Sequence, residues 1–415
     1  MLLIECFTAA HVDNIAASLR LRPEKLVLVG DQKKMKEPAK RYRKLLEDRG
    51  LNTDLTLCDV AGKDLPDLCH VLEDLIWEEE ECVIDITGGD EPVIMAVGAV
   101  LAKLDVQKRS RVRVEKFLHD RGEAVDCMND YRPLPGKRVK LTVEEMIQLH
   151  GGVIHTQTYQ PPQSFSCEDL EPLWDLVAED PAWWNRAVQA LVEFESRSES
   201  KKYVRVPLYP LEYSVKDFHR KEEAVQRLLR KLHKRGVLDN RSDSDTLEYT
   251  YLDSELRYCL EKAGNALEMK TLLEGRVAMQ GNSAAFCDCM MSVCIDWDGV
   301  VSGNNDTQNE IDVMLMHGTT PLFISCKNGK VPDDELYKLD AVARNFGGPY
   351  AKKMLIVSDL EGNKDKYKEK DKDKEKDKDK RSLIQRAWDM DTCLVSDAAK
   401  MSPEEWSEIL IQAVQ

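Results

Sequence analysis

Residues 309–327 read NEIDVMLMHGTTPLFISCK, two apolar runs around a turn-like HGTT, with acids at the start of the first and a lysine at the end of the second. Strand alternation puts Glu310, Asp312, Met314 and Met316 on one face and Ile311, Val313 and Leu315 on the other. The same rule groups Phe323, Ser325 and Lys327 opposite Leu322, Ile324 and Cys326. If HGTT turns the chain so that Met316 pairs with Pro321, Asp312 lies opposite Ser325 and Glu310 opposite Lys327. A slip of two residues pairs Asp312 with Lys327 directly; in either register the charges share one face. Unpaired charges against apolar neighbours are costly, so the cluster needs a use. One use is a salt bridge across a surface hairpin. The other is chemical. Carboxylates placed there can hold Mg2+ or Mn2+, which binds a scissile phosphate and lowers the pKa of an attacking water. The lysine can orient that water and offset charge developing on the phosphorane.

The surroundings suit the second use. Upstream, YCLEKAGNALEMKTLLEG (258–275) reads as a helix carrying Glu268, and downstream DDELYKLDAVARNFGG (333–348) reads as a helix closed by glycines, followed by the strand KKMLIVSD. The run NKDKYKEKDKDKEKDKDKR (363–381) alternates in charge sign and has almost no apolar content, so it is expected to be a mobile solvated loop or a single exposed helix.

Strand-like and helix-like segments take turns through the first 140 residues: MLLIECFT, a helix from about Val12, KLVLVG, a helix, TDLTLCDV, a helix, CVIDITGG, the helix PVIMAVGAVLAKL and RVRVEKFL. Strands apolar on both faces, alternating with helices, predict an α/β fold with a doubly wound parallel sheet. Such sheets bind ligands at the rim formed by the strand C-terminal ends. Two of those ends are equipped: DITGGDEP (85–92), where glycines allow close backbone approach and a helix begins, and FTAAHVDN (7–14). The dinucleotide fingerprint GxGxxG is absent, which argues against an ordinary NAD site.

In the middle, DFHRKEEAVQRLLRKLHKRGVLDN (217–240) keeps Ala224, Leu228, Leu229 and Leu232 at helical spacing, with Arg227, Arg230, Lys231, Lys234 and Arg235 on the remaining surface and Gly236 as the stop. With the strand-like TLEYTYL after it, this resembles a winged-helix arrangement: either a solvated helix face or a nucleic-acid contact.

Composition bounds the rest. The chain has 415 residues, 42% of them hydrophobic, enough for two or three domains with real cores. A net charge of −16 argues against wholesale coating of nucleic acid or an anionic membrane, and confines any nucleic-acid site to a local patch. The N-terminus MLLIECFTAA lacks a basic leader, and the longest apolar run, PVIMAVGAVLA (92–102), is too short to span a bilayer. A cytoplasmic protein with no membrane partner is expected, its twelve cysteines reduced. Cys287, Cys289 and Cys294 lack paired CxxC spacing and read as strand cysteines rather than a zinc site.

A first domain ending its fourth strand in DITGG, followed by LTVEEMIQLHGG (141–152), resembles the CARF sensor domains of CRISPR ancillary nucleases, and Asp312 with Lys327 resembles the core of PD-(D/E)xK nucleases. The resemblance implies a CARF domain over 1–140, a connector, winged-helix-like in part, over 141–250, and a restriction-endonuclease-like domain over 251–415 interrupted by the 363–381 insertion. It implies a homodimer that binds a cyclic oligoadenylate, cyclic tetra-adenylate above all, across its two-fold axis. Thr8, His11, Asn14, Thr87, Gly88, Gly89 and Asp90 become the ligand-contact candidates. In the second domain it implies a metal-dependent endonuclease acting on DNA, with single-stranded RNA as a second substrate. Asp312 and Lys327 would be its centre, Glu268 a helix-borne metal carboxylate, and Mn2+ or Mg2+ the cofactor. The chain departs from that pattern twice. Ser325 stands where the second acid belongs, to be replaced by Glu310 or by Ser325 itself with ordered water, and Ala266 stands where an aromatic precedes the leucine. A rival reading is a ligand-responsive DNA-binding regulator that uses the basic helix and has an inactive nuclease domain. A sensor domain that also degrades its own ligand is a third.

Overall fold

The computed structural model describes residues 1–77, 79–155, 158–208, 215–281, 284–297, 308–360 and 370–415. The N-terminal part runs β1 (Leu2–Cys6), α1 (Ala16–Leu21), β2 (Lys25–Gly30), α2 (Gln32–Asp48), β3 (Asp54–Asp59), α3 (Leu65–Trp77), β4 (Cys82–Asp85), α4 (Glu91–Lys103), α5 (Val106–Arg109), β5 (Val112–Leu118), β6 (Glu123–Asp126) and β7 (Arg132–Pro133). They form one sheet in the order β3-β2-β1-β4-β5-β6-β7, parallel from β3 to β5 and antiparallel beyond. The doubly wound expectation holds, and alternation along the strands sorts their side chains. Leu3, Leu26, Leu28 and Val83 pack with Met35, Ala39, Tyr42 and Leu45 of α2, whereas Leu2, Ile4, Val27, Val29 and Ile84 pack with α3 and α4. The first helix starts at Ala16 rather than Val12 because the chain turns through residues 11–15.

The linking segment begins with α6 (Val143–Leu149), whose start is a capping box: Thr142 accepts from the Glu145 N–H and Glu145 accepts from the Thr142 N–H. Then follow β8 (Val153–Ile154), α7 (Cys167–Glu179), α8 (Pro181–Glu195), β9 (Tyr203–Pro207), α9 (Val215–Lys234), β10 (Leu238–Asn240) and β11 (Thr246–Tyr251). The last three strands make a small antiparallel sheet, β10-β11-β9, beside α7, α8 and α9. Gly236, at φ +75°, follows the end of α9, a conformation glycine takes without the strain of a Cβ.

The C-terminal part comprises α10 (Ser254–Glu261), α11 (Asn265–Val277), β12 (Asp288–Asp296), β13 (Gln308–His317), β14 (Thr320–Lys327), α12 (Glu335–Gly347), β15 (Lys352–Val357), α13 (Lys370–Asp389), β16 (Cys393–Val395) and α14 (Pro403–Gln412). Its sheet runs β16-β15-β14-β13-β12-β8, so the short strand β8 from the linking segment closes the edge of the C-terminal sheet. Val313, Leu315, Leu322, Ile324 and Cys326 face α7, α11 and α14, whereas Met314, Met316 and Phe323 face α6 and α12. The second group belongs to the apolar cluster that also contains Leu3, Phe7, Val12 and Tyr42, so α6 joins both sheets into one core. The charge run at 363–381 lies partly outside the described residues, and from Lys370 it is part of α13. All twelve cysteines are free thiols, with Cys287, Cys289 and Cys294 half-buried in or beside β12. No helix of the described residues is long and apolar enough to cross a membrane.

Candidate active site and ligand rim

The β13–β14 ladder pairs Met316 with Pro321 and ends at Val313 with Ile324, the first of the two registers considered. Beyond Ile324, β14 continues along β15 to Lys327–Val357. On the other side of β13, β12 pairs through Met291–Val313 and Val293–Ile311 but skips Ser292, whose φ of +49° is a strained value for a residue with a Cβ. Asp312 thus stands where the ladders on both its sides are interrupted. Its Oδ2 accepts from the Cys326 N–H at 2.7 Å, and the Lys327 Nζ donates to the same oxygen at 3.0 Å.

Lys327 has a second acid. Its Nζ lies 3.1 Å from Oε1 of Glu335, the first residue of α12. The Ser325 Oγ lies 3.1 Å from Asp312 Oδ2 and 2.6 Å from the same Glu335 oxygen. Although burial opposes it, the two carboxylates hold the Lys327 ammonium above its ordinary pKa. Glu310 stays exposed on β13, because β13 and β14 part before the ladder reaches it. Glu268 comes from the opposite face of the sheet. One turn further along α11, the Thr271 hydroxyl is 3.5 Å from the Cys326 thiol, which sets Glu268 at the same end of the hairpin as Lys327. Burial, and then Asp312 and Glu310, push its carboxyl up to about 8, against the pull of Lys327 and Lys262. Ala266, where an aromatic was expected, is fully buried in α11.

These are hard oxygen donors, the kind that Mg2+ and Mn2+ take. Two carboxylates share one ammonium and one hydroxyl proton, so negative charge remains for a cation. Among the described residues no three acidic, histidine or cysteine side chains already form a closed metal cage. Asp312 would hold such an ion, with Glu268 beside it at the same end of the hairpin. Sequence reading missed Glu335, since DDE at 333–335 offers three acids at one helix start. The fold separates them: Asp333 meets Arg386, Asp334 meets Lys338, and Glu335 alone of the three turns to the hairpin.

At the first sheet's rim, the two candidate loops touch. A Cβ on Gly88 would lie 2.4 Å from Thr8 Cγ2, and Gly89, at φ +101°, packs on Cys6. Thr87 ties this turn down: its N–H donates to Asp85 Oδ1 at 2.6 Å and its Oγ1 accepts from the Phe117 N–H at 2.7 Å. Burial, opposed by the Thr87 bonds, pushes the Asp85 carboxyl up to about 7. Asp90 is exposed at the start of α4. His11 and Asn14 both bond groups within the protein. Asn14 is buried, accepting from the Thr8 N–H and donating to the carbonyls of Thr8 and Ala10, so it shapes the loop from within. His11 bonds the Tyr42 hydroxyl at 2.8 Å, and burial, with His150 and Arg41 nearby, lowers its pKa to about 3. A separate cleft of about 660 Å3, lined by Glu80, Arg109, Arg111 and Asp126, opens around the start of β4 and β5, away from both places.

The basic helix α9 is largely answered by its own neighbours. Lys231 pairs with Glu179 at 2.6 Å and Arg235 with Asp175 at 2.7 Å, while Arg227 and Lys231 lie over the Trp183 ring. Arg230 donates back to the Gln226 carbonyl, and Lys234 ends the helix.

Residues 264–373, which include both Glu268 and the Asp312 hairpin, match the family of Card1-like endonuclease domains. No curated protein matches the chain by sequence. Among solved structures, protein VC1899 from Vibrio cholerae superposes with a TM-score of 0.70 at 16% identity, covering 99% of this chain and 97% of that one. Can2 from Sulfobacillus thermosulfidooxidans, solved with cyclic tetra-adenylate, gives 0.62 at 14% identity over 100% and 97%. At such identities the likeness concerns the fold. Residues 264–373 thus match the Card1-like endonuclease domain family, and the fold of the whole chain is similar to those of VC1899 and Can2.

Proposed function

We propose that this protein is a metal-dependent endonuclease of type III CRISPR defence, working as a homodimer and switched on by cyclic tetra-adenylate at the rim of its first sheet. The observation that carries the reading is the Asp312–Lys327 pair at the open end of a hairpin inside the endonuclease span, 3.0 Å apart and set where both flanking ladders break. Asp312 and Glu268 would hold Mn2+ or Mg2+, which when bound supplies Lewis-acid stabilisation of the scissile phosphate and a more acidic water. Lys327, fully protonated, offers a donor to the attacking water and to the charge that develops on phosphorus. None of these groups reads a base, so the substrate is taken by its backbone: DNA first, and single-stranded RNA second. The Thr87, Gly88 and Gly89 turn against Thr8 forms a backbone-lined ligand rim whose closeness depends on glycine. Ligand activates only through better affinity for the active arrangement, so activity without it is low and finite.

The test is cleavage of supercoiled plasmid and of labelled single-stranded DNA and RNA, with Mn2+ or Mg2+, with and without cyclic tetra-adenylate, by the wild type and Lys327→Ala. Ligand-dependent cutting that the variant loses is the expected result. Ligand binding without cleavage of any polynucleotide would move the protein to the regulator class.

A further inference from the structure

We infer that Glu335 supplies the carboxylate that the nuclease pattern lacks at Ser325, moved from β14 to the first turn of α12; this rests on the endonuclease reading of the same site. Three observations converge on it. Glu335 lies inside the endonuclease span and on the sheet face that strand parity assigns to Asp312, Ser325 and Lys327. Its Oε1 is bonded by both Ser325 and Lys327, the two groups that also bond Asp312 Oδ2. The third is a proton count. Ser325 has one hydroxyl proton and stands within hydrogen-bond distance of two carboxylates, so it serves one of them at a time. Lys327 donates to both, and the remaining charge of the pair is negative.

Here the serine is short enough to let a glutamate from the neighbouring helix reach the position that an acid at 325 would fill. Glu310 has no such contact: it is exposed, past the end of the ladder. Glu335 therefore joins Asp312 and Glu268 as a further carboxylate that would hold the divalent cation, with Ser325 holding Glu335 in place.

Mn2+ binding to the full-length protein, read from the loss of the free-ion electron paramagnetic resonance signal, tests this beside plasmid cleavage. Glu335→Gln is expected to weaken Mn2+ binding by about tenfold or more and to lower cleavage with it. Glu310→Gln should stay within about twofold of wild type. The double variant Ser325→Asp with Glu335→Gln puts the acid back on β14 and should recover most of the Mn2+ affinity, a rescue that a folding defect would not give. Wild-type Mn2+ affinity in Glu335→Gln, or no recovery in the double variant, overturns the inference. Asp312→Asn separates the two levels. If it too leaves binding and cleavage intact, the endonuclease reading of this site falls; if it abolishes them while Glu335→Gln does not, only the role of Glu335 falls.

Discussion

Lys327 is held between two carboxylates with a third ammonium N–H to spare, so on the proposed function its loss removes charge stabilisation without opening the core. Lys327→Ala should lower cleavage by roughly 10²–10³-fold, the usual size for one preorganised donor, with ligand binding unchanged. Equal cleavage by variant and wild type would show that the lysine is only a strut. Glu268 gives a second expectation with a definite sign. Its carboxyl, pushed from the ordinary 4.5 to about 8, binds a proton in the fold that the unfolded chain has already lost between those values. The metal-free protein therefore loses stability as pH rises through that window, by at most about 1.4 kcal/mol per pH unit for one proton. Asp85, raised to about 7, adds a slope of the same sign, so the informative quantity is a difference. Thermal melts from pH 5 to pH 8 should fall less steeply for Glu268→Gln than for the wild type; parallel slopes would mean that Glu268 is ionised in the fold. At this scale the sequence told part of the story. Strand parity alone brought Asp312, Ser325 and Lys327 together, because a period of two leaves little freedom. It paired Glu310 with Lys327, whereas the β13–β14 ladder ends at Val313–Ile324, since alternation does not say where two strands part, and it could not choose Glu335 among three acids at a helix start.

Each strand or turn carries information that single residues lack. HGTT left two hairpin registers open, and the structure takes the first of them: a two-residue turn at Gly318 and Thr319, with Gly318 at φ +62°, fixes every pair behind it. The interruption at Ser292 was not readable, because nothing in CDCMMSVCID marks a residue that leaves the ladder. The glycine turn after β4, proposed as the ligand rim, is visible in the sequence, and the contact of Gly88 with Thr8 gives it a consequence. A methyl group at 88 would meet Thr8 Cγ2 at 2.4 Å and the Cys6 carbonyl at 2.9 Å, and the carbonyl is backbone that cannot swing aside. Gly88→Ala should cost about 1–3 kcal/mol of stability as overpacking. It should also weaken cyclic tetra-adenylate binding by calorimetry, while Mn2+ binding at the other site is unchanged. Unaltered ligand affinity would take this turn out of the ligand site. Basic residues on α9 were visible as a pattern, whereas the acids that answer them, Asp175 and Glu179, lie on α7 more than fifty residues away and no local rule pairs them.

Across the whole molecule, the two sheets share one apolar cluster and a polar joint, and the joint meets the hairpin at its turn. Asp13, in the loop shaped by Asn14, accepts from His119 at 2.8 Å, and the Tyr350 hydroxyl, from just after α12, lies 3.3 Å from its other oxygen. The His119 ring stacks on Tyr350 at 3.7 Å, and its other nitrogen is 3.2 Å from the Thr319 hydroxyl in the hairpin turn. Thr319 is thus tied through His119 to the 7–14 loop at one end of a hairpin whose other end bears Asp312 and Lys327. None of this was visible in the sequence, because the contacts span 106 to 337 residues. Even the division into segments was blurred, since a strand as short as Val153–Ile154 leaves no periodic trace and yet completes the C-terminal sheet. On the proposed function, a coupling free energy between the two sites has to pass through contacts that differ between inactive and active arrangements, and this joint is where the 7–14 loop touches the β13–β14 hairpin. Tyr350→Ala, which removes the stack and one bond to Asp13 while leaving both sites' own residues in place, should reduce the stimulation of cleavage by ligand about 5- to 150-fold, the usual range of such couplings. Ligand-free cleavage and Mn2+ binding should stay near wild type, and reciprocity requires that a substrate which tightens ligand binding in the wild type do so less in the variant. Stimulation by ligand that survives undiminished would show that the signal travels through the apolar cluster around α6 instead.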